Sequence, residues 1–223
     1  MKIAINGACG RMGQAVAKAA REAGVEVAAL IDVAQAPGVV RTLAAKVDAL
    51  VDFSIPEASL ERLEECLKTG TPHVICTTGF TDVQKARIAE ASKKIAVILS
   101  SNTSVGVNLL FKRVPEIAQA LGKDYDIDIV ETHHRFKKDA PSGTAKTLAE
   151  RIEAATGRKP TVHSVRSGDV VGEHRIIFGA LGDSIEIIRR ASTRDIFAKG
   201  SIEAAKWIAT AKPGLYSMLD VIP

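Results

Sequence analysis

The opening segment MKIAINGACGRMG (residues 1–13) decides the fold of this chain of 223 residues. A short apolar run leads into Gly7, and from Met12 apolar residues recur at helical spacing until Gly24 stops them. A second apolar run follows and ends at Asp32. The order strand, glycine turn, helix, strand predicts a βαβ unit, whose two strands must be parallel and joined by a right-handed crossover.

The segment after Asp32 continues this alternation. Further strands are expected over residues 49–53, 73–76 and 95–99, and helices between them over 57–69 and 81–93. Alternating strands and helices indicate a parallel sheet that is covered by helices on both faces. We therefore predict an α/β fold built on a Rossmann-like, doubly wound parallel sheet.

The pattern changes after Asn102. Helices are expected over 107–121 and 142–155, and strands over 126–131, 161–168, 173–180 and 183–192. Helices followed by a run of strands are typical of an α+β domain with an antiparallel or mixed sheet. Because a last helix (199–210) is expected to return to the first domain, we predict one domain of residues 1–104 plus 194–223 and an inserted domain of residues 105–193. Hinges are expected near 103–105 and at Arg194.

The composition argues against several classes of protein. With 46% hydrophobic and 25% charged residues, the chain is neither disordered nor collagen-like. No stretch approaches 18 uncharged apolar residues, so neither a signal sequence nor a membrane span is expected. A formal net charge of +4 and 4% aromatic residues give little support to nucleic-acid binding, which uses basic surface and rings for base stacking.

The three cysteines, Cys9, Cys66 and Cys76, match no metal-binding or redox spacing. Their odd number also gives no closed disulfide framework. Reduced thiols in the cytoplasm are the simplest interpretation.

Three glycines, Gly7, Gly10 and Gly13, form a variant of the dinucleotide-binding fingerprint. In that motif the first glycine turns the chain, the second lets the backbone approach a pyrophosphate, and the third lets the helix lie close to the sheet. The glycines alone are equally typical of a tight strand-to-helix turn. Asp32 favours the nucleotide interpretation, because a carboxylate at the end of the second strand accepts hydrogen bonds from the adenosine ribose.

The acid at this position also bears on the choice of cofactor. Asp32 repels a 2′-phosphate, and the following residue is Val33, which cannot neutralise one. We therefore expect NADH to be preferred and NADPH to be possible, with Arg11 as the one nearby cation that weakens the preference.

Two further strand ends carry small polar residues. They are Cys76, Thr77 and Thr78 in one case, and Ser100, Ser101, Asn102 and Thr103 in the other. Each segment alone is compatible with ordinary turn chemistry. Because ligands of open α/β sheets bind beyond the carboxyl ends of the strands, their joint occurrence favours a binding cleft.

The segment ETHHRFKKDAPSGTA (residues 131–145) is the densest in chemically active side chains. Five of the six residues from His133 to Lys138 are basic, which by itself usually indicates a solvated loop. However, Ser142, Gly143 and Thr144 are expected to begin a helix, where hydroxyls and N–H groups form a receptor for a carboxylate. Cations facing such a helix end predict an acidic substrate.

This segment resembles the signature of the 4-hydroxy-tetrahydrodipicolinate reductase family, also called dihydrodipicolinate reductase. The segments GACGRMG (7–13), CTTGF (76–80), SSNTSVGVN (100–108) and GDVVGEH (168–174) resemble the same family, so the resemblance covers essentially the whole chain. It implies the reduction by NAD(P)H of a cyclic dicarboxylate imine in lysine and diaminopimelate biosynthesis, without a metal. It also implies a homotetramer whose subunits meet at the sheet of the inserted domain.

The resemblance assigns roles to individual residues. His133 would donate or accept a proton, and Lys137 would donate one. Substrate would contact His134, Ser142, Gly143 and Thr144. The cofactor would contact Gly7, Ala8, Cys9, Gly10, Arg11 and Met12 through its pyrophosphate, Asp32 through its ribose, and Cys76, Thr77, Thr78, Ser100, Ser101, Asn102 and Thr103 on its nicotinamide side. The first domain would thus bind the dinucleotide, and the inserted domain the substrate.

Two positions depart from the family pattern. Many members have glycine where Cys76 stands and an aromatic residue where Thr103 stands, so we expect the nicotinamide to pack differently here. The other histidines, His73, His163 and His174, are isolated in the sequence, and we expect structural roles for them.

Two alternatives remain open. One is another reductase on the same frame, such as an amino-acid dehydrogenase with a different acidic substrate. The other is a nucleotide-sensing protein without turnover. The second alternative would have lost the basic residues and the Ser-Gly-Thr sequence, all of which are present.

Overall fold

The structure is a computed structural model that describes residues 1–193 and 195–223. The chain divides into two compact units. Met1–Val105 and Asp195–Pro223 form the first unit, and the intervening segment from Gly106 forms the second. The second expected hinge, at Arg194, lies outside the described residues.

The two units contain eleven strands and seven helices among the described residues. The strands are β1 (Lys2–Asn6), β2 (Glu26–Ile31), β3 (Val39–Val40), β4 (Ala49–Asp52), β5 (His73–Ile75), β6 (Ala96–Leu99), β7 (Asp126–His133), β8 (Thr161–Arg166), β9 (Gly172–Ala180), β10 (Asp183–Ala191) and β11 (Gly214–Tyr216). The helices are α1 (Arg11–Glu22), α2 (Pro56–Thr69), α3 (Asp82–Ser92), α4 (Val105–Leu121), α5 (Gly143–Thr156), α6 (Asp195–Ile208) and α7 (Met218–Val221).

The first unit is a seven-stranded sheet in the order β11-β6-β5-β4-β1-β2-β3, with every neighbouring pair parallel. Its central strands, β1 and β4 to β6, are buried on both faces. On one face Ile3 and Ile5 pack with α1 and α6, whereas on the other Ala4 and Leu50 pack with α2 and α3. The predicted doubly wound parallel sheet is therefore confirmed.

The second unit contains a four-stranded mixed sheet in the order β10-β9-β7-β8. β7 is parallel to β8 and antiparallel to β9, and β9 is antiparallel to β10. Alternate residues of β7 and β9, including Ile129, Ile176 and Phe178, are fully buried. Helix α5 packs on β7 and β8 and buries Leu148 and Ile152.

Three short elements were not expected from the sequence. The strands β3 and β11 have two and three residues, and α7 has four. Such strands are too short to show periodicity, and they form because each finds a parallel neighbour, β2 and β6 respectively. Helix α6 also begins at Asp195, four residues before the expected start at 199. No described helix combines the length and hydrophobicity that a membrane span requires.

Candidate active site

The glycine turn of the first unit is sterically restricted at two of its three glycines. Gly7 has a φ of +76°, and a Cβ there would lie 2.6 Å from the carbonyl oxygen of Phe53. A Cβ on Gly13 would overlap the carbonyl oxygen of Gly7 and lie 2.6 Å from Cα of Ala8. Gly13 therefore lets α1 lie close to the turn, as the motif predicts.

Gly10 differs from the other two glycines. A Cβ there would meet only the Gly7 carbonyl oxygen, at 3.2 Å. Gly10 is the N-cap of α1, and no side chain accepts a hydrogen bond from the first turn of this helix. The N-terminus of α1 thus keeps the N–H groups and positive dipole end that bind an anion.

Asp32 is joined to the glycine turn. Its Oδ2 accepts the N–H of Cys9 at 2.9 Å, and its Oδ1 accepts the N–H of Ala34 at 2.9 Å. Partial burial raises the pKa of Asp32, but these backbone hydrogen bonds outweigh it, and the pKa lies below its usual value. The carboxylate therefore stays ionised at neutral pH. Burial and Asp32 together raise the pKa of the Cys9 thiol, which argues against a reactive thiolate.

A cavity of about 600 Å³ opens beside this turn. It is lined by Gly7, Cys9, Gly10 and Asp32 from the motif, together with Phe53, Ser54 and Arg41. Arg41 is exposed, and sequence reasoning missed it because it lies nine residues beyond Asp32. Of the other motif residues, Ala8 is buried and Arg11 is exposed.

A second cavity, of about 180 Å³, gathers five of the seven predicted residues on the nicotinamide side. Its lining includes Cys76, Ser100, Ser101, Asn102 and Thr103, with Met12, Phe53 and Phe197. Thr77 and Thr78 do not line it. Thr77 is buried, and its hydroxyl donates to Oδ1 of the fully buried Asp52 at 3.1 Å.

The hydroxyls at these strand ends are engaged within the protein. Thr103 is 2% exposed and donates to the Phe197 carbonyl at 2.7 Å, while Ser100 donates to the Asn102 carbonyl at 2.9 Å. A ligand here would therefore meet mainly backbone, Ser101 and apolar side chains. Phe197 of α6 was not predicted from the sequence. It brings an aromatic ring to the cavity in which residue 103 is a threonine.

In the second unit, Glu131 and His133 lie on the same face of β7. The Glu131 carboxylate is fully buried and bonds to His133 Nδ1 through Oε2. Arg166 of β8 makes a bidentate ion pair with Glu131, with Nη1 2.9 Å from Oε2 and Nη2 2.8 Å from Oε1. This fork geometry is the strong form of a carboxylate–guanidinium contact.

The pKa values in this cluster follow from its charges. Burial raises the pKa of Glu131, but the hydrogen bonds from Arg166, Ser164 and His133 hold it at about 2. Burial lowers the pKa of His133 below its usual value, and the cations Lys137 and Arg166 add to this, whereas Glu131 opposes it. At neutral pH the carboxylate is therefore ionised and the imidazole is mostly neutral.

Helix α5 begins beside this cluster. Its N-cap Ser142 donates its backbone N–H to Glu131 Oε1 at 3.2 Å, and its hydroxyl accepts the N–H of Ala145 at 3.2 Å. Ser142 is 2% exposed, so its side chain serves the cap. The N–H groups of Gly143 and Thr144, at the more exposed start of the helix, remain outside that cap.

His174, which is isolated in the sequence and was expected to be structural, packs beside the predicted site. His174 is 2% exposed, its ring centroid lies 5.4 Å from that of His133, and its Nε2 lies 3.2 Å from the Ser142 hydroxyl. Burial, with the nearby His133 and Arg189, lowers its pKa to about 4. It is a neutral neighbour of the predicted site.

The basic loop follows β7. Lys137 donates to Asp139 Oδ1 at 2.8 Å, and the backbone of His133 and Arg135 bonds to the segment 167–168. Lys137 lowers the pKa values of both His133 and His174, so its ammonium lies within electrostatic reach of these rings. His134 is half-buried, and its ring lies 6.4 Å from that of the exposed Phe136, with the two planes tilted by 39°. Among the described residues, no group of three or more His, Cys, Asp or Glu side chains is placed to hold a metal ion.

Comparison with known proteins places both units in one family. The family model described as dihydrodipicolinate reductase, N-terminus, matches residues 1–103, and the one described as dihydrodipicolinate reductase, C-terminus, matches residues 106–222. The chain belongs to the dihydrodipicolinate reductase family. The predicted membership of this oxidoreductase family is thus confirmed.

Individual relatives carry the same name. The 4-hydroxy-tetrahydrodipicolinate reductase of Citrifermentans bemidjiense is 41% identical over 263 aligned residues, which cover 100% of this chain and 98% of the relative. That of Geobacter sulfurreducens is 40% identical and covers 99% and 98%. These alignments are longer than the chain, so the relatives contain segments that it lacks.

A solved structure agrees at the level of fold. The dipicolinate-bound dihydrodipicolinate reductase from Paenisporosarcina sp. TG-14 matches with a TM-score of 0.83 at 24% identity, covering 100% of this chain and 99% of that one. Aspartate dehydrogenase from Thermotoga maritima is a more distant match, with a TM-score of 0.51 at 15% identity over 95% of this chain and 97% of that one. The fold of dihydrodipicolinate reductase is therefore similar to that of other dehydrogenases.

Proposed function

We propose that this protein reduces the cyclic dicarboxylate imine precursor to tetrahydrodipicolinate with NAD(P)H, as a 4-hydroxy-tetrahydrodipicolinate reductase of lysine and diaminopimelate biosynthesis. The observation that carries the proposal is the Glu131 carboxylate, which joins His133 directly to the N-cap of α5. Glu131 thereby holds the proposed proton-transfer group, His133, next to the helix end that is proposed to bind a substrate carboxylate.

The cofactor is proposed to bind the first unit. Gly10 at the unblocked N-terminus of α1 suits a pyrophosphate, and the ionised Asp32 beside the cavity suits the adenosine ribose hydroxyls. Asp32 supports a preference for NADH. Arg41 lines the same cavity and offers a counter-charge for the 2′-phosphate, which supports acceptance of NADPH as well.

The nicotinamide end is proposed to occupy the cavity lined by Cys76 and residues 100–103. Cys76 is buried there, and burial raises the pKa of its thiol well above the usual value, so that it acts as a small apolar side chain. Phe197 supplies the aromatic surface that Thr103 does not. The bound reduced nicotinamide would supply a hydride to the carbon of the C=N bond.

The substrate is proposed to bind the second unit. One carboxylate would accept hydrogen bonds from the N–H groups of Gly143 and Thr144, where the α5 dipole favours an anion. The Ser142 side chain is committed to the cap, so its contribution is to shape this helix end. His134 in the basic loop is proposed to bind the second carboxylate.

Proton transfer is proposed to involve Lys137 and His133. Hydride addition to a conjugated C=N bond leaves negative charge on the substrate, and an ammonium both stabilises this charge and donates the proton that completes the reduction. Asp139 holds the Lys137 ammonium at 2.8 Å and keeps it oriented. His133 is proposed to exchange a proton through its second ring nitrogen.

We propose that the chain acts as a homotetramer in the cytoplasm. The face of the four-stranded sheet opposite α5 carries the exposed Val165 and Ile188 beside ion pairs such as Arg190–Glu173. Apolar residues among paired charges suit a subunit interface. The three thiols are unpaired, in keeping with a reducing compartment.

The experiment that tests the proposed function compares two neighbouring lysines. Lys137→Ala should lower kcat by about 10²- to 10⁴-fold, the range for a well-placed general acid, while the Kd of NADH stays unchanged. Lys138→Ala, its exposed neighbour, is the matched control and should change kcat less than about threefold. Normal turnover of Lys137→Ala would contradict the assignment.

A further inference from the structure

The Glu131 carboxylate contacts groups from three different elements. Arg166 of β8 donates two hydrogen bonds, the N-cap Ser142 of α5 donates one, and His133 Nδ1 of β7 bonds to Oε2. Ser164 of β8 also hydrogen-bonds to this carboxylate. An ionised carboxylate only accepts hydrogen bonds, and the bidentate pair with Arg166 keeps Glu131 ionised. The proton in the contact with His133 therefore belongs to Nδ1.

The other ring nitrogen has a different environment. Nε2 lies against Gly172, where a Cβ would come within 3.1 Å of it. A Cβ at this position would crowd the ring, so the glycine lets the Nε2 side of the imidazole lie close to the β9 backbone. Because Nδ1 is committed to Glu131, Nε2 is the nitrogen available for chemistry.

The charges around the imidazole oppose a second proton. The titratable or charged groups that act on the ring are Glu131 on β7, Lys137 on the following loop, Arg166 on β8 and His174 on β9. Behind them, Asp139 pairs with Lys137, and Arg189 of β10 acts on His174. Glu131 is neutralised by Arg166, and Asp139 by Lys137. A protonated His133 would therefore add an uncompensated positive charge.

We propose that Glu131 is a positioning residue that, with Arg166 as its counter-ion, holds His133 as a neutral imidazole with its proton on Nδ1 and Nε2 presented as an acceptor. This inference rests on the proposed function, in which His133 meets the substrate. It makes Nε2 of His133 a hydrogen-bond acceptor in the site and leaves donation of the one proton that the reduction consumes to Lys137. Glu131 itself touches neither substrate nor cofactor.

The test is the tautomeric state of His133 in the wild-type protein. Nitrogen-15 NMR of imidazole-labelled protein at pH 7, with the His133 signals assigned by their loss in His133→Asn, should show a neutral ring protonated on Nδ1. A ring protonated on Nε2, or a charged imidazolium, would overturn the proposal. Because this measurement needs no turnover, its failure is separate from failure of the proposed function.

Two variants with opposite effects extend the test. Glu131→Gln removes the group that raises the pKa of His133, so the acid limb of the kcat/KM profile should move to lower pH. In the same variant kcat should fall about 10- to 100-fold, while the Kd of NADH stays constant. Arg166→Gln removes a cation that lowers the pKa, so the limb should move to higher pH. A purely structural role predicts shifts in the same direction or none, and either result would overturn the proposal.

The chain supplies a matched control. Asp128 and His163 form a second carboxylate–imidazole pair between β7 and β8, at 2.7 Å, but both side chains are substantially exposed. Asp128→Asn should alter the NMR signals of His163 and leave those of His133 unchanged. If Glu131→Gln or Arg166→Gln fails to fold, the wild-type spectrum alone decides between the two tautomers.

Discussion

The carboxylate of Asp32 accepts the backbone N–H of Cys9 at 2.9 Å, so the end of β2 is hydrogen-bonded to the middle of the glycine turn. The same carboxylate lines the cavity beside that turn. Asp32 therefore holds the turn and also presents negative charge to a ligand. Its effect on cofactor choice must be separated from its effect on the turn.

Asp32→Asn removes the charge and keeps one acceptor oxygen, which can retain the hydrogen bond from Cys9 while the one from Ala34 is lost. We expect the Kd of NADH to rise about tenfold, the effect of losing a charge-assisted hydrogen bond, while the Kd of NADPH rises less or falls. Fluorescence titration with both nucleotides measures the ratio. If the affinities for NADH and NADPH fell equally, Asp32 would not determine the choice between them.

Arg41→Ala supplies the reciprocal prediction. Because Arg41 lines the same cavity as Asp32, its removal should raise the Kd of NADPH by about three- to tenfold and leave that of NADH within about twofold. The same titrations report it. A loss confined to NADH would mean that Arg41 acts through the loop and contacts no 2′-phosphate.

The glycine turn yields a contrast between stability and binding. Gly13→Ala forces a Cβ onto the Gly7 carbonyl, so the free energy of unfolding should fall by about 1–3 kcal/mol or more. Gly10→Ala meets only one atom at 3.2 Å and should fold nearly normally, but it obstructs a pyrophosphate and should weaken NADH binding. Urea unfolding and nucleotide titration separate the two effects.

Gly179→Ala is the control for these variants, because nothing lies within 4 Å of a Cβ there. It should change neither stability by more than about 0.5 kcal/mol nor nucleotide affinity. If Gly13→Ala were as stable as Gly179→Ala, the close packing of α1 on the turn would be wrong.

The pKa shifts in the second unit predict two adjoining pH windows in which stability changes. Glu131, with a folded pKa of about 2, stabilises the protein fully above its ordinary value of 4.5 and loses this contribution as the pH falls toward 2. His174, with a folded pKa of about 4, is protonated more readily when unfolded, so stability falls between pH 6.5 and 4. Each window is worth about 3 kcal/mol.

Variants distinguish these windows. His174→Gln should flatten the decline in the free energy of unfolding between pH 6.5 and 4, because glutamine does not titrate. Glu131→Gln should be less stable than the wild type at pH 7, and this difference should shrink below pH 4.5. Urea unfolding across this pH range measures both, and unchanged pH profiles would contradict the burial and pairing of these groups.

The first unit was largely predictable because its signals are local. Buried parallel strands give continuous apolar runs, and the glycine spacing marks the turn at Gly7. Elements that depend on a neighbour were missed: β11 has no pattern of its own and forms by pairing with β6. The start of α6 at Asp195, four residues before the expected position, was also missed.

Only part of the candidate site could be predicted from the sequence, for a related reason. The basic loop and the Ser-Gly-Thr helix start are contiguous in sequence, and so they were recognised. Arg166 and His174 join Glu131 and His133 through β-sheet pairing, with Arg166 opposite His133 and His174 opposite Glu131. Register between strands cannot be read from a single strand. Arg41 and Phe197 were missed because chain segments distant in sequence bring them to the two cavities.

The measurement that tests the central claim most directly is steady-state oxidation of NADH and NADPH, side by side, with the product of dihydrodipicolinate synthase as substrate. The account predicts turnover that requires this cyclic dicarboxylate, with a higher kcat/KM for NADH and measurable activity with NADPH. Absence of turnover with both nucleotides would contradict it. So would equal turnover in the reductive amination of a 2-oxo acid with ammonia, the reaction of an amino-acid dehydrogenase.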